Sequence, residues 1–221
     1  IKYLLQIGSK TDSLVMDFFS GSGTTGDAVM QLNAEDNGNR KFILVQVSEI
    51  CEGNKTFATI CDMGKERIRR AGAKIKEEAG LTAQNLDVGF RVLKCDTSNM
   101  KDVYYSPSDF DRNLLDLMAD NIKEDRTPED LLFQVMLDLG VTLSSKIEET
   151  TIAGKKVFDV ADGFLIACFD KDVNDETIKA IAQKQPYYFV MRDSSLANDS
   201  VATNFEQIFA TYSPDTVRKV L

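Results

Sequence analysis

Asp17-Phe18-Phe19-Ser20-Gly21-Ser22-Gly23-Thr24-Thr25 is the most informative stretch of the chain. It follows the short apolar run Leu14-Val15-Met16-Asp17-Phe18-Phe19, which reads as a buried strand. Gly21, Gly23 and Gly26 make a loop, and Thr24 to Leu32 reads as a helix. Asn37-Gly38-Asn39 is a turn, and Phe42 to Val47 is a second buried strand. Strand, glycine-rich turn, helix and strand form a βαβ unit, so the two strands should lie parallel.

Such a turn has three readings. Its glycines let the backbone bend sharply and let a ligand approach main-chain N–H groups. A helix starting just behind it offers a positive dipole end to a carboxylate or phosphate. The plainest reading is a βα turn without a ligand. The second is a dinucleotide site, since Gly21, Gly23 and Gly26 fit Gly-x-Gly-x-x-Gly. That fingerprint wants an acid roughly 20 residues on for the ribose hydroxyls. Gln46 stands there, with Glu49 three residues beyond. A Walker A loop is excluded, because no Gly-Lys-Ser/Thr follows.

The third reading is an S-adenosylmethionine site. The whole nine-residue run resembles motif I of the amino-group DNA methyltransferases, Asp-x-Phe-x-Gly-x-Gly-Thr-Thr. Residues 33–46, Arg67 to Gly72, Asp87 to Val92 and Ser98-Asn99 extend the likeness. Together they resemble the modification subunit of type III restriction-modification systems, β-class adenine-N6 DNA methyltransferases. The likeness is strong over residues 11–100 and weaker on to Tyr187–Phe209. It implies an α/β fold: a partial Rossmann-like methyltransferase sheet, three-layered, followed by a small α/β domain. It also implies S-adenosyl-L-methionine as cofactor.

The resemblance places Asp17, Phe18, Phe19, Ser20, Gly21, Ser22, Gly23, Thr24, Thr25, Gln46, Val47 and Glu49 around that cofactor. Asp17 would meet the amino end of the methionine moiety, and Phe19 would pack beside the adenine or ribose. Gly21 and Gly23 would permit close approach, while Thr24 and Thr25 open the helix behind. Gln46 occupies the place where many relatives carry a ribose-binding Glu, and Glu49 is the fallback ribose partner. In the family the amine's protons are accepted by an Asp-Pro-Pro-Tyr motif, with the base flipped out of the duplex. The four prolines here stand at 107, 128, 186 and 214, so that motif is absent and no catalytic residue is assigned. In the β class it precedes the cofactor motif. The chain, opening at Ile1, is therefore expected to be a C-terminal fragment, inactive alone. The implied partners are DNA, a second modification subunit and the restriction subunit. The strand at Leu14–Phe19 would lose one strand neighbour, and self-association or the N-terminal helix would hide the apolar edge.

Composition narrows the alternatives. The chain has 221 residues and net charge −9, with no His and no Trp. Without His there is no Ser-His-Asp or Cys-His catalysis and no His-ligated metal site. Cys51, Cys61, Cys95 and Cys168 form no CxxC pair, so no metal is expected. Spaced this way they suit a reducing, cytoplasmic setting, and Cys51 and Cys61 read as buried thiols. No apolar run approaches the roughly 18 residues of a membrane span.

Residues 1–100 hold 13 basic and 13 acidic side chains, and residues 101–221 hold 13 and 22. The acidic half is a poor phosphate binder and suits a subunit-interaction module. Residues 1–105 are expected to form the cofactor domain, 106–140 a helical connector and 141–221 the α/β domain. Residues 55–79 read as one long helix, with Lys65 to Lys76 a solvated basic face or a DNA contact. Residues 1–7 read as a helix, 88–95 as a third strand and 110–122 as a helix. Thr127, Pro128 and Asp130 announce a helix start. Residues 147–152, 157–160 and 164–169 read as a β-meander, followed by helix 175–184, strand 187–192, helix 199–210 and strand 217–221. Tyr104 and Tyr105 read as packing beside the Ser106-Pro107 turn.

Overall fold

A computed structural model describes residues 1–53, 56–80, 86–101, 121–196 and 199–221. They form two compact units, Ile1–Lys94 and Cys95–Leu221. Each is an α/β arrangement of sheet and helices. Among the described residues no helix is long and apolar enough to cross a membrane.

The first unit runs α1 (Lys2–Gly8), β1 (Leu14–Asp17), α2 (Thr24–Asp36), β2 (Lys41–Leu44) and α3 (Ile60–Ala79). β1 and β2 pair in parallel, from Leu14 opposite Lys41 to Asp17 opposite Leu44. This is the expected βαβ unit, and α2 supplies the crossover that parallel strands require. Paired residues share a face, so Val15, Asp17, Phe42 and Leu44 point one way. Phe42 and Leu44 pack beside Met30 of α2 and Ile68 and Ile75 of α3. The opposite face keeps Leu14 62%, Met16 60%, Ile43 44% and Val45 46% exposed. The N-terminal helix does not hide them. α1 rests on α2 through the Lys2–Glu35 ion pair, and its own Tyr3, Leu4 and Ile7 are exposed. Behind it, buried Arg40 holds Asp36 at 2.8 Å and Ser9 Oγ at 3.0 Å, closing the turn before β2. The Arg40 guanidinium accordingly keeps Asp36 below its ordinary value.

Two expectations in this unit need correction. The helix expected over 55–79 starts only at Ile60. Thr59 is extended and caps it: its hydroxyl accepts from the Asp62 N–H at 3.2 Å, while Asp62 Oδ2 accepts from the Thr59 N–H at 3.1 Å. This reciprocal capping box fixes the start one turn later than the apolar stripe suggests. Residues 88–95 form no strand. Val88 lies against Gly72 and Phe90 under Arg69 of α3, so this segment packs on a helix instead of a sheet edge. Among the described residues the sheet of this unit has two strands.

The second unit contains α4 (Pro128–Asp138), β3 (Ile147–Ile152), β4 (Lys155–Val160), β5 (Leu165–Cys168), α5 (Asp175–Ala182), β6 (Tyr188–Met191), α6 (Asp199–Tyr212) and β7 (Val217–Val220). The strands lie in chain order, antiparallel from β3 to β5 and parallel from β5 to β7. The meander is therefore as expected. Ala153 (φ 47°) and Gly154 (φ 80°) make its two-residue hairpin turn. Two positive φ values suit the right-handed strand twist, and glycine adopts one without penalty.

Strand alternation sends side chains to two separate cores. Leu165, Ala167 and Val190 join Leu131, Leu132, Val135 and Met136 of α4. Ile166, Cys168, Phe189 and Met191 join Ile178, Ile181 and Ala182 of α5 and Val201, Phe205 and Phe209 of α6. The result is three layers, with α4 on one face of the sheet and α5 and α6 on the other. α4 is part of this unit's core, and the chain divides at Lys94 and Cys95 rather than at the expected 105/106 and 140/141. Thr127 and Asp130 form the expected capping box, with Pro128 at its first helical position. The helix expected over 110–122 lies largely outside the described residues, as do Tyr104, Tyr105 and Ser106-Pro107. Its last residue, Ile122, instead forms a bridge with Met100. Cys168 is buried, and burial pushes its thiol up to about 11. Cys51 and Cys61 are only half-buried, so the expected burial does not hold for them.

Phe209 has no exposed surface, and its ring stacks on Phe189 at 5.3 Å. Phe209→Ala should cost about 3–5 kcal/mol, read as an earlier urea midpoint for amide protection in β5 and β6. A second expectation concerns acid. Lys156 donates to Glu129 and holds its carboxyl below the usual carboxylate range. A lowered folded value adds stability above the unfolded value of roughly 4.3 and loses it as pH falls through the folded one. Glu129→Gln should therefore flatten the decline in this unit's stability below about pH 4.3, measured by urea melts across that range.

Candidate cofactor loop

The nine-residue run leaves β1, turns and enters α2. Asp17 ends the strand, and its carboxylate ties down both sides of the turn. Oδ1 accepts from the Phe19 N–H at 3.1 Å, and Oδ2 accepts from the Thr25 hydroxyl at 2.5 Å. Strand end, loop and first helical turn are thus joined through one side chain. Ser20, buried, donates its N–H to the Val45 carbonyl at 3.2 Å and its hydroxyl to the same oxygen at 3.3 Å. The loop is thereby held to the end of β2 as well.

Gly21 N–H donates to Gln46 Oε1 at 2.8 Å, and Gln46 Nε2 donates to the Val47 carbonyl at 3.1 Å. Gln46 therefore spans the loop and the segment after β2. Gly21 (φ 51°) would meet nothing within 4 Å if it carried a Cβ, so open space lies over it. Gly23 differs. It caps α2 with φ 79°, and a Cβ there would come within 3.2 Å of the Gly64 carbonyl. The backbone of α3 thus presses on the loop from behind, which only a glycine at 23 permits. α2 begins without a side-chain cap, so its first-turn N–H groups are not answered by the Gly23 side.

The structure joins Asp17 to Thr25, Ser20 to the Val45 carbonyl, and Gly21, Gln46 and Val47 in a chain of hydrogen bonds. Gly23 and Thr24 form the helix start beside it, and half-buried Ser22 lies between the two glycines. The side chains of Phe18 and Phe19 take no part in these bonds and are exposed rings with centroids 5.2 Å from each other. Glu49 is exposed. Its N–H donates to the Val47 carbonyl at 2.9 Å and its carbonyl accepts from Ile60 at 3.0 Å, so its backbone steers the chain into α3. Sequence reasoning overlooked Gly64, the backing of the loop, and Cys61, whose thiol donates to the Gln46 carbonyl at 3.7 Å. A glycine on the apolar stripe of a long helix was the available sign, since a helix tolerates one there only at a cost.

The basic face of α3 is largely answered within its own helix. Lys65 meets Asp62 at 2.7 Å, Arg70 meets Glu66 at 2.7 Å, and Lys74 meets Glu78 at 3.7 Å. Phe57, Met63 and Ala71 floor a groove of about 690 Å³ between α2 and α3, where Glu66 and Glu78 sit among Arg67 and Lys74. With both signs present, this face has the mixed charge of a solvated helix.

Comparison with known proteins gives a consistent relationship. Residues 1–74 match the DNA methylase family. The Mod subunit of the type III restriction-modification enzyme StyLTI, from Salmonella typhimurium, is 41% identical over 96 residues, which is 41% of this chain and 14% of that protein. The EcoPI Mod subunit of Escherichia phage P1 is 39% identical over 95 residues, 41% of this chain and 14% of the relative. The EcoP15I Mod subunit of Escherichia coli is 30% identical over 224 residues, 93% of this chain and 30% of the relative. The chain thus spans less than a third of the length of these relatives.

Gly23→Ala should destabilise the first unit by about 1–3 kcal/mol, because it adds backbone strain to a contact with the Gly64 carbonyl. Gly64→Ala, whose Cβ would stand 3.4 Å from the Gly21 carbonyl, should cost less. Amide exchange in β1 and α2 gives both values, and equal effects would contradict the assignment of Gly23 as the tighter position. The chain is thus similar over nearly its whole length to the EcoP15I Mod subunit and over 41% of its length to the other two, with a DNA methylase match over residues 1–74.

Proposed function

We propose that the first unit holds S-adenosyl-L-methionine, and that the chain is the cofactor-binding portion of an enzyme that methylates adenine N6 in DNA. The observation that carries this reading is the loop itself. Its motif-I sequence coincides with a turn that leaves space open over Gly21, beside a fixed carboxylate and an uncapped helix start. These features fit a zwitterionic ligand. Asp17 would attract the amino group, and first-turn N–H groups of α2 would receive the carboxylate. Phe18 and Phe19 offer apolar rings for the adenine. Gln46, bonded to Gly21, serves first to hold the loop open, and its remaining donor capacity and that of nearby backbone face the ribose. Ser20, Ser22, Gly23, Thr24, Thr25, Val47 and Glu49 complete the surroundings.

S-adenosylmethionine supplies an electrophilic methyl on a sulfonium. The chain's own residues bind and orient that donor. Orientation is a large part of the barrier in such a displacement, and no metal is required. Acceptance of the amine's protons belongs to an Asp-Pro-Pro-Tyr motif that this sequence lacks. The Mod-subunit likeness supports DNA, a second such subunit and a restriction subunit as partners of the whole enzyme. The acidic second unit, unsuited to phosphates, is the region we assign to subunit contact.

Titration calorimetry with S-adenosylmethionine tests the cofactor assignment. Binding is expected, weakened at least tenfold by Asp17→Ala. NADH binding without S-adenosylmethionine binding would instead favour the dinucleotide reading.

A further inference from the structure

The hydrogen-bond acceptors just past the end of β2 are already engaged within the chain. The Val45 carbonyl accepts from the Ser20 N–H at 3.2 Å and from its hydroxyl at 3.3 Å. The Gln46 carbonyl accepts from the Cys61 thiol at 3.7 Å. The Val47 carbonyl accepts from the Glu49 N–H at 2.9 Å and from Gln46 Nε2 at 3.1 Å. Gln46 Oε1 accepts from the Gly21 N–H at 2.8 Å. We propose that this site holds S-adenosylmethionine without selecting for its ribose hydroxyls, and that Gln46 is the residue responsible. The proposal rests on the cofactor reading of the loop and adds to it which part of the ligand is not read.

Selectivity for a hydroxyl arises from what is stranded when that hydroxyl is missing. A site group that waits for the partner is then left buried and unpaired, and rejection reaches roughly 10⁴-fold. Gln46 does not wait. Before any ligand arrives, its side-chain oxygen holds Gly21 and its nitrogen holds Val47. The second N–H of that nitrogen belongs to an exposed contact, where water takes it. The Glu49 side chain is exposed too, so its carboxylate is hydrated with or without a ribose hydroxyl. A missing hydroxyl therefore strands no group here. A carboxylate at 46 would behave otherwise. One of its oxygens could still accept from Gly21, but the other would face the Val47 carbonyl, acceptor against acceptor. A ribose hydroxyl between them would supply the missing donor. The amide at 46 thus exchanges ribose selectivity for a loop that is held in shape before the ligand arrives.

Titration calorimetry with S-adenosylhomocysteine and its 2′-deoxy and 3′-deoxy analogues tests the proposal. In the wild-type chain the three dissociation constants should agree within about tenfold. Gln46→Glu should widen their ratio by about tenfold or more, in favour of the ligand with both hydroxyls. Gln46→Ala removes the bond to Gly21, so it should weaken all three ligands by the same factor. Amide exchange without ligand gives a second readout. Gly21 should exchange about tenfold faster or more in Gln46→Ala, while the β1–β2 ladder keeps its protection. A wild-type ratio above about a hundredfold overturns the proposal and leaves the cofactor reading standing. A ratio unmoved by Gln46→Glu, or Gly21 exchange unmoved by Gln46→Ala, has the same consequence. Should either variant fail to fold, the wild-type ratio decides alone. If none of the three ligands binds, the cofactor reading falls and this proposal falls with it.

Discussion

The Asp17 carboxylate is the constraint on which the first unit depends. One oxygen accepts from the backbone two residues on, and the other from the hydroxyl eight residues on. A βα turn has to reverse the chain while leaving the helix start accessible. Local hydrogen bonds to a short acid do this without filling the space a ligand would need. Ser20 and Gln46 then fasten the same turn to the second strand. The loop is therefore held from three directions by polar contacts and from behind by the α3 backbone. Its open side is the one above Gly21.

That architecture was largely readable from residue order. The βαβ unit, the parallel pairing, the β-meander and the capped helix at Thr127 all follow from local signals that the tertiary structure respects. The misreadings share a cause. The stripe from Phe57 to Ile75 has helical spacing throughout, but spacing alone does not decide where a helix starts. The side chains of Thr59 and Asp62 do, because they satisfy the free N–H groups of the first turn. Residues 88–95 carry strand-like composition, yet a strand exists only where another edge accepts its hydrogen bonds. Here Val88 lies against Gly72 on the helix surface instead.

The site was legible in a different way. The residue types at 17, 21, 23 and 25 were fixed by the motif, while their partners were not. Nothing in the sequence pairs Gln46 with Gly21, since the two are 25 residues apart and meet only when the strands align in parallel register. Gly64 is a similar case. Its importance comes from an approach between α3 and a loop some forty residues earlier, and a long-range contact leaves no local pattern beyond the missing side chain.

The two units also show what apolar sequence alone implies about burial. In the second unit, β5 reads Leu-Ile-Ala-Cys, and all four residues are buried because helices cover both faces. In the first, β1 reads Leu-Val-Met-Asp and β2 Lys-Phe-Ile-Leu, runs that likewise suit burial on both sides. Among the described residues, the packed cluster lies on one side of them and the other side is exposed. Antiparallel sheets that face water on one side alternate polar with apolar residues, and these strands do not. The composition of β1 and β2 is therefore that of a sheet interior. The exposed rows at Leu14, Met16, Ile43 and Val45 thus have the residue types of a covered face.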